Sequence, residues 1–207
     1  MVMIVKHSVF GNMNNNCYLI VDEKTNKSAL VDCTVFNQKM IDLIGETELE
    51  YILLTHGHFD HIIGAKEVKE KYSCKVAISA EDEAMLSSGR LSLAYFCGEP
   101  QNDVEADIII KDGDVITLGE TEIKVISTPG HTKGSVCFIS GDYLFSGDTL
   151  FYCSCGRTDF PGGSDSEMLS SLKKLKNLDG NFKVMTGHDE TSTLDFERKN
   201  NPYMKLL

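Results

Sequence analysis

The stretch LLTHGHFDHIIG, residues 53–64, puts His56, His58, Asp60 and His61 within six positions. It ends the apolar run EYILLT (50–55), which reads as a short buried strand, and it opens IIGAKEVKEKY (62–72), whose apolar spacing is helical. The cluster therefore stands at a strand end, where a rigid scaffold presents chemistry on its loops. A single histidine in such a place is usually a hydrogen-bonded surface or core group. Three imidazoles and a carboxylate crowded beside a buried strand are different: unbound, they form an unsatisfied and mutually repelling knot, and a metal ion relieves it.

Outward from this centre, β-rich runs lead the chain: residues 2–9, CYLIVD (17–22) and SALVD (28–32). VFNQKMIDLIG (35–45) has a helical apolar stripe ending at glycine, and KVAIS (75–79) is a further strand. Strands resume at 107–110, 115–118, 121–128, 135–140 and 143–148, in an order that mirrors the first half. A helix is expected at 164–177, capped by Ser164 or Asp165, then a strand at 182–187 and a charged tail. Strands and helices in two similar halves predict an α+β fold: a four-layer αββα sandwich, two sheets face to face with helices outside. Residues 80–105 are the least regular part. A short helix is expected at 80–87, and residues 88–105 read as a lid or as a contact between two copies of the chain, a homodimer.

At 207 residues the chain fits one domain with a real core. The net charge of −11, with no Lys/Arg run longer than two, repels phosphate backbones and argues against nucleic acid. The absence of a long apolar run argues against a membrane span, and the opening MVMIVKHSVFGNMNNN lacks the features of a signal peptide. Seven scattered cysteines without C-x-x-C spacing suit a reducing, cytoplasmic setting. Cys153 and Cys155, on an extended segment, would have Cα atoms roughly 6.5 Å apart with nearly parallel side chains, poor geometry for a bridge.

Five of the six histidines stand at a strand end or after a small-residue turn. Beyond the cluster, TPGH (128–131) presents His131, FSGDT (145–149) presents Asp148, and TGH (186–188) presents His188, with Gly147 and Gly187 removing bulk directly before the last two. Seven imidazole and carboxylate groups exceed the four ligands of one tetrahedral site, so two metals are implied: zinc, iron or manganese. A carboxylate can bridge such a pair, and two metals roughly 3.5–4 Å apart can share a hydroxide, a strong nucleophile near neutral pH.

The strings THGHFDH, STPGHTKGSVCF, FSGDTLF, CGRTDFPGGS and TGHDETSTLDFERKNNPY, with NNNCYLIVD and ALVD near the start, resemble the metallo-β-lactamase fold hydrolases, and within them the glyoxalase-II-like branch. The resemblance covers nearly the whole chain. It implies that His56, His58 and His131 hold the first metal, that Asp60, His61 and His188 hold the second, and that Asp148 bridges them, with two Zn2+ per chain as the expected cofactor. Asp60 and Asp148 are the implied catalytic residues, Asp60 orienting the hydroxide as well as ligating. Histidine at 58 argues against the flavodiiron branch, and Asp148 with His61 against true β-lactamases.

The implied reaction is hydrolysis of a small-molecule thioester such as lactoylglutathione or a related hydroxyacyl thiol. Residues 1–207 are expected to form a single domain without the C-terminal helical domain of classical glyoxalase II. After CG the basic residue is kept as Arg157, a candidate substrate contact, but Asp159 stands where an aromatic is usual, so Arg157 and Asp159 are equally readable as a loop-bracing ion pair. Asp189 stands where short members of the branch show glycine. Asp32, at a strand end, is either a support for the metal ligands or a turn former. CGRTDF also resembles the persulfide dioxygenases, which use one iron held by two histidines and an aspartate, and lactone or ester hydrolysis is a further alternative. A metal-binding or regulatory module without catalysis is the non-enzyme reading.

Overall fold

The computed structural model describes residues 3–207. Six strands form the first sheet in sequential order: β1 (Met3–Phe10), β2 (Asn15–Asp22), β3 (Lys27–Val31), β4 (Glu48–Leu53), β5 (Lys75–Ser79) and β6 (Ile108–Ile110). Residue 2, the first of the expected opening strand, lies outside the described residues. The first three strands are an antiparallel meander, and β3 to β6 run parallel. Parallel neighbours need crossovers, and the sequence supplies helices there: α1 (Gln38–Ile44) between β3 and β4, then α2 (Phe59–Ile62) and α3 (Ala65–Tyr72) between β4 and β5. Asn37 caps α1 by accepting from the Met40 amide, and Gly45 ends it at φ 62°.

The second sheet contains β7 (Val115–Leu118), β8 (Thr121–Ser127), β9 (Val136–Ser140), β10 (Tyr143–Gly147), β13 (Lys183–Thr186) and β14 (Ser192–Thr193), in the order 14-13-10-9-8-7. A small hairpin, β11 (Leu150–Phe151) with β12 (Ser154–Cys155), leads to α5 (Asp165–Lys176). Ser164 is its cap, accepting from the Glu167 amide. Between the halves, residues 83–87 form one 3-10 turn rather than the helix expected from residue 80, and α4 (Ala94–Cys97) is the one regular piece of 88–105.

Alternation along the strands sorts their side chains into three cores. Tyr18, Ile20, Val31 and Leu53 of the first sheet meet Leu118, Ile123, Phe138 and Phe145 of the second. The opposite faces carry Leu19, Leu30 and Ile52 against Met40 of α1 and Val68 of α3. On the other side Cys137, Leu144 and Val184 pack on Met168, Leu172 and Leu175 of α5. Helix, sheet, sheet and helix layers follow from this order, so the expected αββα sandwich is the observed architecture.

The charged tail is ordered instead as α6 (Leu194–Asn200) and α7 (Pro202–Lys205). Thr193 caps the first, and Asn201 caps the second ahead of its N-terminal proline. Glu197 is fully buried. It accepts from Ser192 Oγ, from the Cys153 amide at 2.9 Å and from Asn201 Nδ2 at 2.9 Å, pinning the tail to the hairpin.

Candidate metal centre

Four strand ends converge on one edge of the sandwich: β4 runs into His56 and His58, β8 into His131, β10 into Asp148 and β13 into His188. Backbone bonds lock that edge together. The Val136 amide donates to Thr55 across the two sheets at 2.9 Å, the Asn16 amide to Gly187 at 2.8 Å, and the Gly187 amide to Gly147 at 2.8 Å. All seven residues singled out in the sequence meet here.

Three overlapping groups have ligand atoms within 4.8 Å of one another: His56, His58 and His131; His56, His61 and Asp148; Asp60, His61 and His188. Asp148 reaches both ends of the set. Its Oδ1 is 3.5 Å from His61 Nε2, and its Oδ2 is 3.4 Å from His131 Nε2 and 3.5 Å from His188 Nε2. Asp60 Oδ2 faces His61 Nε2 at 3.5 Å and His188 Nε2 at 3.3 Å.

Four of the five imidazoles are oriented from behind. Nδ1 of His131 donates to the Arg157 carbonyl at 2.7 Å, and Nδ1 of His188 to the Met13 carbonyl at 2.8 Å, because a carbonyl can only accept. Asp32 Oδ2 takes Nδ1 of His61 at 2.9 Å. Thr55 Oγ1 donates to Asp32 and stands 3.1 Å from Nδ1 of His56. The Nε2 atoms of these four rings are thereby turned inward, toward the space a cation would occupy.

The donor set fits metal ions on two observations. His56 Nε2 and Asp148 Oδ1 are buried without a hydrogen-bond partner, an expensive state unless something occupies the space between them. His58 Nδ1 and His131 Nε2 face each other at 2.8 Å, a pair that must share a proton or a cation.

The electrostatics divide the cluster. Burial pushes the His56 imidazole well below its ordinary pKa, and its histidine neighbours push the same way. Burial and His131 drive His58 down to about 3. These rings are neutral, as ligation requires. Burial also opposes charge on His61, but Asp60, Asp148 and Asp32 outweigh it and lift that pKa to about 10. Against its own burial, Asp60 is held well below the usual carboxylate range by His61, His188 and Asn15.

Asp32 has both roles considered for it: φ is 59°, as in a turn, and its carboxylate supports His61 and Thr55. Arg157 pairs with Asp159 through two bonds of 2.6 Å, and its guanidinium lies 3.9 Å from the centroid of the Phe160 ring. The ion pair with Asp159 is formed, and Arg157 also borders the space above the candidate ligands. All seven cysteines are free thiols.

Two supporting residues escaped the sequence reading. Asn15 Nδ2 donates to Asp60 Oδ2 at 2.8 Å. Asp82 is fully buried and takes the Gly57 amide at 3.0 Å, Thr132 Oγ1 at 2.7 Å and the Gly134 amide at 3.0 Å, tying the loop of His56 and His58 to the loop of His131. Asn15 lies in the quoted string NNNCYLIVD, a usable signal. Asp82 lies in AEDEA, where nothing separates it from its exposed acidic neighbours.

A cavity of about 370 Å³ opens on the cluster, walled by Phe59, Leu93, Phe151 and Phe160, with Cys97 at the end of α4. Segment 88–105 thus forms one wall of it. A larger cavity, about 710 Å³, lies at the opposite edge among Thr121, Tyr143 and Lys183, far from these strand ends.

Residues 11–188 match the metallo-beta-lactamase superfamily. A hydroxyacylglutathione hydrolase from Haemophilus influenzae, GloC, is 31% identical over 91% of this chain and 92% of its own length. Among solved structures, one described as the BLEG-1 B3 metallo-beta-lactamase aligns with a TM-score of 0.91 at 28% identity, covering 97% of this chain and 99% of that one. TTHA1623, solved in a di-iron-bound form, aligns with a TM-score of 0.85 at 29% identity, covering 96% and 99%.

Proposed function

The chain belongs to the metallo-beta-lactamase superfamily, and on that premise we propose that it is a dinuclear-metal thioester hydrolase of the glyoxalase-II kind. One observation carries the two-metal reading: the Asp148 carboxylate spans both histidine groups, one oxygen toward His61 and the other toward His131 and His188. In the proposed arrangement His56, His58 and His131 hold one ion, Asp60, His61 and His188 hold the other, and Asp148 lies between. Two Zn2+ are the proposed complement, and the donor set also accepts iron or manganese.

When bound, the ions supply Lewis acidity toward a thioester carbonyl and an activated water at neutral pH. The protein supplies the rest. Asp60, fixed by Asn15 Nδ2, is placed to orient the attacking water as well as to ligate. Phe59, Leu93 and Phe160 exclude bulk water from the scissile group. Asp32, Thr55, Met13 and Arg157 hold the imidazoles in one tautomer, so little reorganisation is needed during reaction.

The proposed substrate is a small hydroxyacyl thioester, and the name of the Haemophilus relative supports that class. The proposed compartment is the cytosol, where seven free thiols stay reduced. No helix of the described residues is long and apolar enough to cross a membrane.

The test is a panel on metal-loaded protein: a lactoyl thioester, a simple lactone, an aryl ester and a β-lactam, the last because of the BLEG-1 neighbour. Thioester hydrolysis at the highest kcat/KM supports the reading. Oxygen consumption with a thiol persulfide, at one iron per chain, would replace it with the dioxygenase reading.

A further inference from the structure

The cavity over the histidine and aspartate cluster carries charged groups as well as apolar walls. Apart from the candidate ligands, the charged side chains lining it are Arg157 and Asp189. Arg157 is paired: its Nε and Nη2 are bonded to Asp159 at 2.6 Å, and its guanidinium carbon lies 3.9 Å from the Phe160 ring centroid. Asp189 sits directly after His188, and its side chain is exposed.

The two ends of the cavity are marked by aromatic rings. Phe160 is edge-on to His58 at 5.8 Å between centroids, and Phe151 is edge-on to His188 at 6.1 Å. Asp159 accompanies Arg157 at the Phe160 end, and Asp189 stands at the Phe151 end. At the Phe151 end the charged side chain lining the cavity is the Asp189 carboxylate, and at the Phe160 end it is Arg157 in its pair with Asp159.

Asp189 also stands where glycine would fit at least as easily. Its φ is 58°, a left-handed conformation that glycine adopts freely and that a side chain resists. The backbone there is held by its own carbonyl, which accepts from Asn16 Nδ2 at 3.0 Å, so the conformation does not depend on the carboxylate. The side chain is therefore available for a role toward what enters the cavity.

We propose that Asp189, with Arg157 neutralised by Asp159, selects thioesters whose thiol carrier is neutral or cationic and disfavours anionic carriers such as glutathione. This rests on the thioesterase reading and narrows its substrate class. The discrimination is electrostatic, so it weakens as salt screens the mouth of the cavity.

The experiment compares one acyl group, lactoyl, on three carriers of different charge: thiocholine (cationic), N-acetylcysteamine (neutral) and glutathione (net anionic), using metal-loaded protein. At low ionic strength, kcat/KM should fall in that order, with about a tenfold span that shrinks toward about twofold in high salt. Asp189→Gly suits the left-handed backbone and should retain the fold. It should reduce the thiocholine-to-glutathione ratio about threefold or more, and Asp159→Asn, which frees Arg157, should reduce it further. Calorimetric binding of the unreactive thioether S-methylglutathione should tighten in both variants. Equal or better turnover of the glutathione ester by the native chain, or a carrier ratio unchanged in Asp189→Gly, overturns this proposal while leaving the thioesterase reading intact. Failure of all three esters overturns both.

Discussion

Asp32 Oδ2 lies 2.9 Å from Nδ1 of His61, and both side chains are buried. The contact fixes the ring so that Nε2 points at Asp60, Asp148 and His188, and a carboxylate behind an imidazole raises its basicity toward a metal. Asp32→Asn keeps the shape but removes the charge. Metal affinity at the His61 position should drop about 10–100-fold, measured by competition with a chromophoric chelator. An unchanged affinity would mean that Asp32 only forms the turn its positive φ indicates.

Asp82 links the loop of His56 and His58 to the loop of His131 without touching any of the three rings through a hydrogen bond of its own. Asp82→Ala should leave two buried amides unpaired and cost about 1–3 kcal/mol in denaturant unfolding of the metal-free protein. The metal held by those histidines should be lost more readily than the other, so partial dialysis against chelator should yield a one-metal form. Simultaneous loss of both ions would contradict this assignment.

Gly187 has no room for a methyl group, because a Cβ there would run into Asp148 Oδ1 and the Gly147 backbone. Its φ is not in the left-handed region, so alanine is acceptable to the backbone itself. Gly187→Ala should therefore displace Asp148 and behave like Asp148→Ala, with lowered metal content and turnover reduced at least about a hundredfold. Full activity in either variant would remove Asp148 from the bridging position.

Asp22 joins the sheets away from the metal edge, accepting from the Thr25 hydroxyl and amide, the Thr121 hydroxyl and the Glu120 amide. Led by the Thr25 hydroxyl, these bonds hold its pKa down to about 2. The unfolded value is about 3.9, so the stabilisation is complete above about pH 4 and disappears as pH falls through about 2. Asp22→Asn should be less stable than the native chain at pH 6, and the gap should close on acidification. A gap independent of pH would show that packing, not charge, is at stake.

The cluster at 56–61 was legible because its donor groups are local: the turn and the donors share six residues at the end of one strand. His131, Asp148 and His188 were legible for a related reason, since each follows a strand end and small residues that the sequence displays. The supports were harder to read. Asp82 works only because β5 delivers it between two loops that are distant in sequence, and an acidic residue in AEDEA carries no trace of that. The C-terminal helices were missed because their charged surface resembles a solvated tail, while the group that anchors them, Glu197, is buried by contacts from residues 153 and 192. Arg157 was readable either as a loop brace or as a substrate contact, and its stacking on Phe160 beside the Asp159 pair carried no trace in the sequence.

The central claim is that one carboxylate, Asp148, joins two metal positions into a single hydrolytic centre. It is tested most directly by titrating metal-free protein with Zn2+ while recording lactoyl-thioester hydrolysis. Activity should climb until two equivalents per chain are bound, and Asp148→Ala should abolish the climb. A rate that reaches its plateau at one equivalent would contradict it.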